Sequence, residues 1–352
     1  MRWLLIAPLA VLAMAVAGSY AVWHFAVGQI EADYAAWVAV AAAQGWTVRA
    51  GPGERGGWPL AASLTLPDAS MAGGAADVPG GIGWTAARVT LRVDLLSPNA
   101  LFAQAEGAQS VTLGPGATLP FTADRFILSV PLVSGRVPDS AALDAAGLRF
   151  GAPVEGLTVG LLQGQFGWRL TAGSGDAAAL VRLSAEAIAL PPPPAPQAPL
   201  GAHIASATVE AELTGPVPAA ATPAGNAAAW RDGGGKFLVR RIALGWGPLG
   251  VSGGATLALD EGLQPAGSAS LRLVGYDDAL AALVAGHALS AQAAKAAQAV
   301  LGLMALAPAG GAPGVEVPLT LQGGVLAMGH IPLAKVQKLS WPDAAGAASV
   351  PP

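Results

Sequence analysis

The chain contains no cysteine. That absence excludes disulfides, thiolate nucleophiles, zinc fingers and iron–sulfur clusters together. Charge is scarce as well: Asp, Glu, Lys and Arg make up 11% of 352 residues, against about a quarter in typical soluble chains. Only 18 residues are basic, the net charge is −4, and no basic run occurs. A nucleic-acid footprint needs clustered positive charge, so nucleic acid is excluded as a partner. Histidine is equally sparse. His24, His203, His287 and His330 share no HxH or HxxxH spacing, so no metal site is expected.

The residues that are abundant are small, apolar or turn-forming. Gly 47 and Pro 29 argue for many turns rather than long helices. One stretch stands apart. Residues 3–27 read WLLIAPLAVLAMAVAGSYAVWHFAV and carry no Asp, Glu, Lys or Arg. At about 1.5 Å rise per residue, a helix of this length crosses a ~30 Å hydrocarbon core with some tilt. Arg2 precedes it, and Glu31 and Asp33 follow. That asymmetry places the N-terminus in the cytoplasm and exports the remainder. Three readings are open. A retained anchor is favoured because the apolar run continues well past Ala13-Met14-Ala15 and Ala15-Val16-Ala17, where a signal would be cut. A cleaved signal exports the chain equally, and a buried soluble helix is the third reading.

Past the span, residues 29–44 carry Ile30, Tyr34, Trp37, Val38 and Ala41 at helical spacing, and Gly45 ends the run. This predicts an amphipathic helix, packed on the exported domain or, if it continues from the span, forming a stalk or lying at the headgroup level. Trp23, Trp37 and Trp46 are the candidate membrane-interface residues. Alternation then dominates. Leu60, Ala62, Leu64 and Leu66 share one face of a strand closed by Pro67-Asp68. Val89, Leu91, Val93 and Leu95 mark the next. Further strands are expected at residues 126–130, 157–162, 166–171, 180–190 and 204–213. Residues 237–276 form a three-stranded meander. Strand after strand without an intervening helix means antiparallel pairing.

Leu190-Pro191-Pro192-Pro193-Pro194-Ala195-Pro196 is the sharpest break in composition and reads as a stiff extended linker. Asn226 is expected to cap a short helix over 227–231. Asp277 or Asp278 is expected to cap a helix from Ala279 to about Gly286, and Ser290 a second to about Ala307. Alternation resumes over 315–321, with short strands at 325–328 and 331–333. The tail, 343–352, reads as disordered.

Catalytic patterns are wanting. Ser252 falls in a predicted strand rather than at a strand-to-helix elbow. No Walker lysine follows the Gly-rich residues 73–83. Glu210 and Glu212 share one strand face as solvated residues rather than a glycosidase pair. Arg240-Arg241 is unusual, because on a strand one of the two must point inward or sit at an edge.

A resemblance rests on the order of several Gly, Pro and Trp motifs. They are Gly56-Gly57-Trp58-Pro59-Leu60, Trp230-Arg231-Asp232-Gly233-Gly234 and Leu244-Gly245-Trp246-Gly247-Pro248. Val317-Pro318-Leu319-Thr320-Leu321-Gln322-Gly323-Gly324 and Met328-Gly329-His330-Ile331-Pro332-Leu333 follow. Together they resemble the bacterial domain-of-unknown-function 2125 family over roughly residues 20–335. The resemblance implies a membrane-anchored or exported protein without an assigned activity, and it carries over no functional residue. The texture of residues 254–273 is also similar to AsmA-like envelope proteins, which are β-rich and implicated in lipid trafficking.

The expected fold is α+β and predominantly antiparallel: an N-terminal transmembrane helix, then a curved β-sheet ectodomain with a few packed helices. The expected segments are an anchor or signal (1–28), a first β-rich half (29–190), a polyproline linker (191–200), a second half (201–342) with helices at 279–307, and the tail. The expected function is that of an inner-membrane, periplasm-facing, non-enzymatic protein binding a lipid or other amphiphile. The alternative is a scaffold binding another envelope protein. No catalytic residue, cofactor or metal is assigned.

Overall fold

The computed structural model describes residues 3–74, 81–114, 117–133, 137–169, 171–191, 199–216, 222–305, 314–339 and 341. Side chains of residues 3–11, 13, 117, 223 and 303–305 are outside that description. The chain divides into two compact units, Met1–Leu143 and Asp144–Pro352.

The first unit begins with one continuous helix, α1 (Trp3–Ala43), which joins the expected span to the expected amphipathic helix. Nothing at Gly28 interrupts it. β1 (Thr47–Arg49) and β2 (Glu54–Gly56) follow, then the long strands β3 (Ala61–Gly73), β4 (Ile82–Asp94) and β5 (Ala100–Leu113). β6 (Ala117–Thr122) and β7 (Arg125–Pro131) both pair with β5. The ladders among β1 to β7 are antiparallel. The core lies between α1 and the face of β3 and β4. Val27 and Ile30 of α1 pack on Ala62, Leu64, Leu66 and Val93, all buried. The helical stripe is Val27, Ile30, Tyr34, Val38 and Ala41, close to a seven-residue repeat. Trp37, expected on it, lies about 60° from Tyr34 around the helix and is 47% exposed.

β3 does not stop at Pro67-Asp68. β1 pairs with residues 70–72 of β3 and β2 with residues 63–65. Pro67, which has no N–H to donate, sits in the gap between those two partners. Its carbonyl accepts from Gly51 N at 2.7 Å. Asp68 takes φ 49°, and Gly107 on β5 takes φ 80° beside a register shift. Together they let the core-facing set continue through the kink: Ala69, Ala86, Val89 and Ala105 form a second buried cluster.

β8 (Ser140–Phe150) carries the chain across the boundary between the units. In the second unit, β9 (Thr158–Trp168), β10 (Ala177–Ala189) and β11 (His203–Thr214) pair in sequence order. β9 runs unbroken where two strands are expected, because Gly164 is tolerated within it. α2 (Pro223–Asp232) is capped by Thr222 rather than Asn226; the Thr222 hydroxyl accepts from Gly225 N. β12 (Phe237–Trp246), β13 (Leu249–Leu259) and β14 (Pro265–Val274) form the meander. Gly267 on β14 and Gly253 on β13 lie against backbone of the neighbouring strand, where no Cβ fits. α3 (Tyr276–Ala285) starts after Gly275 at φ 70°, with Asp277 and Asp278 in its first turn. The aspartates therefore sit at the positive end of the helix dipole and do not cap it. Ser290 does cap α4 (Ala291–Ala305), accepting from Ala293 N. Buried Ala279 and Ala294 seat the helices, α3 on β13 and α4 on β15 (Val315–Gln322), whose Val315 and Val317 are buried. β16 (Val325–Met328) and the exposed edge strand β17 (Ile331–Lys335) finish the sheet.

The fold is thus mostly antiparallel β with four helices, of α+β type. The division between units falls at 143/144, whereas the polyproline run lies within the second unit, and residues 192–198 of it are outside the described residues. So is the tail from 342 onward.

Candidate functional site

Most of the exposed apolar surface on a helix belongs to α1. Leu12, Met14, Val16, Tyr20, Val22 and Phe25 are between 45% and 74% exposed. Among the described residues no helix is long and apolar enough to cross a membrane. The first part of the expected span, 3–11, has no described side chains.

Contact with the sheet begins at Trp23. Its indole donates to Gly56 O at 2.8 Å, and its ring joins the cluster around Val27. Tyr20, Trp23 and His24 form a group of rings with centroids 5.3 to 6.4 Å apart. Beside it the Arg55 guanidinium grips Glu31 with two bonds, 2.8 Å from Nε and 2.6 Å from Nη2. His24 Nε2 lies 3.5 Å from Arg55 Nη1. Hydrogen bonding from Arg55 holds the Glu31 carboxyl below its usual range, and the same contact raises Arg55. Burial raises the Tyr34 phenol. So one end of the α1 packing face is closed by an indole–carbonyl bond and a bidentate ion pair.

Of the three candidate interface tryptophans, Trp23 therefore sits at the junction of helix and sheet. Trp37 is exposed, with its ring 6.2 Å from Tyr34. Trp46 lies at the other end of β3, stacked on Gly73, where a Cβ would fall 2.6 Å from the indole. The structure does not bring the three together.

The Trp and Gly motifs behind the family resemblance act as staples. Trp230 Nε1 donates to Thr214 O at 2.8 Å, and its ring covers Gly235. Trp246 Nε1 donates to Gly201 O at 2.8 Å; beyond those motifs, Trp341 Nε1 donates to Leu263 O at 2.9 Å. Each indole fixes a turn from a distance, which explains the residue types without chemistry.

Two open clefts lie on the sheets. One, of about 360 Å³, runs over the end of β3 and β4 beside Met71, Ile82, Gly83 and Trp84, with Thr85 and Thr112 polar. The other, of about 380 Å³, crosses β12–β14 at Val239, Gly254 and Ser268. Near the first, Gln109 is only 3% exposed and its side-chain amide has no protein partner; nor has Trp84 Nε1. Ala86 faces Gln109 and Trp84 faces Val111, so the indole and the amide share one sheet face as diagonal neighbours.

Groups weighed for chemistry resolve into structure. Residues 250–254 spell GxSxG, but they run within β13, and Ser252 pairs with Ala243 and Arg272 in mid-strand. Glu212 accepts two bonds from Arg240, and Glu210 lies 3.6 Å from Arg182. A register shift at Glu210/Ala211 bulges Arg240, so Arg240 and Arg241 both reach solvent and neither points inward. Among the described residues no three His, Asp or Glu gather to hold a metal.

Sequence reasoning missed Arg55 and Glu31. The signal was present, since Glu31 is one turn beyond Val27 on a helix otherwise poor in charge, but its partner is 24 residues away. No curated protein and no solved structure matches the chain. A family model, described as an uncharacterized protein conserved in bacteria, matches residues 23–337, beginning at the first residue of α1 that bonds to the sheet. The chain belongs to the DUF2125 family.

Proposed function

We propose that this is a membrane-anchored envelope protein whose two β units stand in the periplasm, and that it binds an amphiphile rather than catalysing a reaction. One observation carries the anchor: α1 exposes apolar side chains from Leu12 to Phe25 and has no charge from Trp3 to Val27. The packed part starts at Trp23, so about 20 residues precede it, equal to a ~30 Å span. Arg2 before this segment and Glu31 after it orient it with the N-terminus inside. Trp23 then marks the outer interface, with Trp37 and Trp46 further along α1 and beyond it. Carbonate extraction of membranes tests the anchor. The full chain should stay in the pellet, and release of the intact chain would refute it.

The apolar lining of the cleft at Met71, Ile82 and Trp84 supports amphiphile binding. Mass spectrometry of organic extracts from purified, detergent-free protein tests this. A stoichiometric amphiphile upholds the reading; an empty protein beside a loaded carrier control refutes it. One feature favours the scaffold alternative, binding to another envelope protein. β17 is an exposed edge with Ile331 48% and Leu333 51% exposed, a place for an added strand.

A further inference from the structure

α1 and β3 run in the same direction. Trp23 is tied to Gly56 at the start of β3, and Trp46 covers Gly73 at its end. The helix before Trp23 therefore projects past the sheet end where β3 begins. Three connections meet at that end: residues 57–60 before β3, 95–99 between β4 and β5, and the described ends, 132–133 and 137–139, of the connection between β7 and β8. Backbone bonds hold them level. Leu95 N donates to Leu60 O at 2.9 Å, and Leu132 N to Asn99 O at 2.8 Å.

These connections are apolar where turns are ordinarily polar. Trp58 is 45% exposed, Leu60 63%, Leu96 85%, Leu132 39%, Val133 55% and Val137 84%. Residues 57–60 and 95–99 carry no charged side chain, and the third connection carries one of each sign, Arg136 and Asp139. Behind the first two turns lie the Arg55–Glu31 and Arg92–Asp94 pairs. Single exposed apolar residues are ordinary, but six on adjoining turns at one sheet end are a patch with a partner.

We propose that this rim is a second bilayer-contact surface, dipping its apolar turns into the outer interface beside the anchor. The inference rests on the anchor reading above. Continuity identifies the occupant: the rim adjoins the uncharged, exposed stretch of α1 and repeats its chemistry, with Trp58 as an interfacial indole and the ion pairs at headgroup level. Because residues 57–60 and 95–99 are uncharged and Arg136 and Asp139 cancel in net charge, contact is driven by apolar burial rather than by anionic lipid. The first unit is thus held to the membrane at two places, which fixes its long strands upright instead of leaving it on a swivel.

The absence of cysteine makes the test direct. Leu60→Cys, Leu96→Cys and Val133→Cys each accept one environment-sensitive fluorophore on the full chain in phosphatidylcholine vesicles. Met14→Cys reports the anchor. Leu113→Cys, 50% exposed at the opposite sheet end, is the control about 40 Å away, the length of a 13-residue strand. The expected result is blue-shifted emission, and loss of it with acyl-brominated lipid, at Met14 and the three rim positions but not at Leu113. A response at Met14 with all three rim positions matching Leu113 overturns the rim and leaves the anchor standing. A rim response without one at Met14 upholds the rim as a surface contact and overturns the anchor. Silence everywhere overturns both.

Discussion

Leu64→Ala tests whether α1 is part of the first unit's core. Leu64 is 2% exposed, between Val27 and Ile30 of the helix and Val93 of the next strand. Gly53 closes its outer side so tightly that a Cβ there would fall 2.7 Å from Leu64 Cδ1. Leu-to-Ala changes in cores cost about 2–5 kcal/mol, depending on how far the site collapses. Collapse is limited here. The helix is held by the Trp23–Gly56 bond and by Arg55–Glu31, and β3 is paired along both edges. A loss of about 3 kcal/mol follows. Because the chain has two units, a single unfolding midpoint blends them, so amide hydrogen exchange at β3 is the suitable assay. Protection of the Ala62, Leu64 and Leu66 amides should fall roughly 150-fold. Leu113→Ala, at an exposed site, should leave it unchanged. A fall below about threefold at β3 would refute the packing of α1 on this face.

Gly235→Ala should destabilise the second unit by about 1–3 kcal/mol, since the new Cβ enters the Trp230 indole and displaces it from Thr214 O; urea unfolding followed by tryptophan fluorescence reads this. Gln109→Leu should stabilise the first unit by about 1 kcal/mol, because the amide is buried without a protein partner; a lowered thermal midpoint would count against that. Glu31 has its carboxyl held down by Arg55 in the folded state, so its contribution is full above the unfolded pKa and lost as pH falls through the folded one. Exchange protection around Arg55 and Gly56 should therefore weaken in acid below about pH 4, and Glu31→Gln should weaken it at neutral pH and flatten the pH profile. The pair is exposed, so the effect should be modest and shrink in salt.

Strand identity was legible in the sequence because alternation is a local property. Val89 to Val93 and the 237–276 meander each announce a strand by period alone, and Ala62, Leu64 and Leu66 do face the core, whereas Leu60, expected on the same face, lies in the turn before β3 and is 63% exposed. Helix content beyond residue 275 was legible for the same reason, and Ser290 capped as its type suggests. What tertiary structure decided was the fate of apparent breaks. Pro67-Asp68 reads as a strand end, yet the strand passes through, because the proline meets a gap between two partner strands that no local signal reveals. Arg240-Arg241 reads as a conflict, and a bulge set by register with β11 removes it. Thr222 displaced Asn226 as a cap because Pro223 takes the first helical position. Likewise, an uncharged helical run was plain from composition. Where it stops being free and becomes core depends on Trp23 meeting Gly56 and Glu31 meeting Arg55, contacts across 33 and 24 residues. Period and composition come from neighbours in the chain, whereas bulges, gaps and packing faces come from partners that only the folded chain supplies.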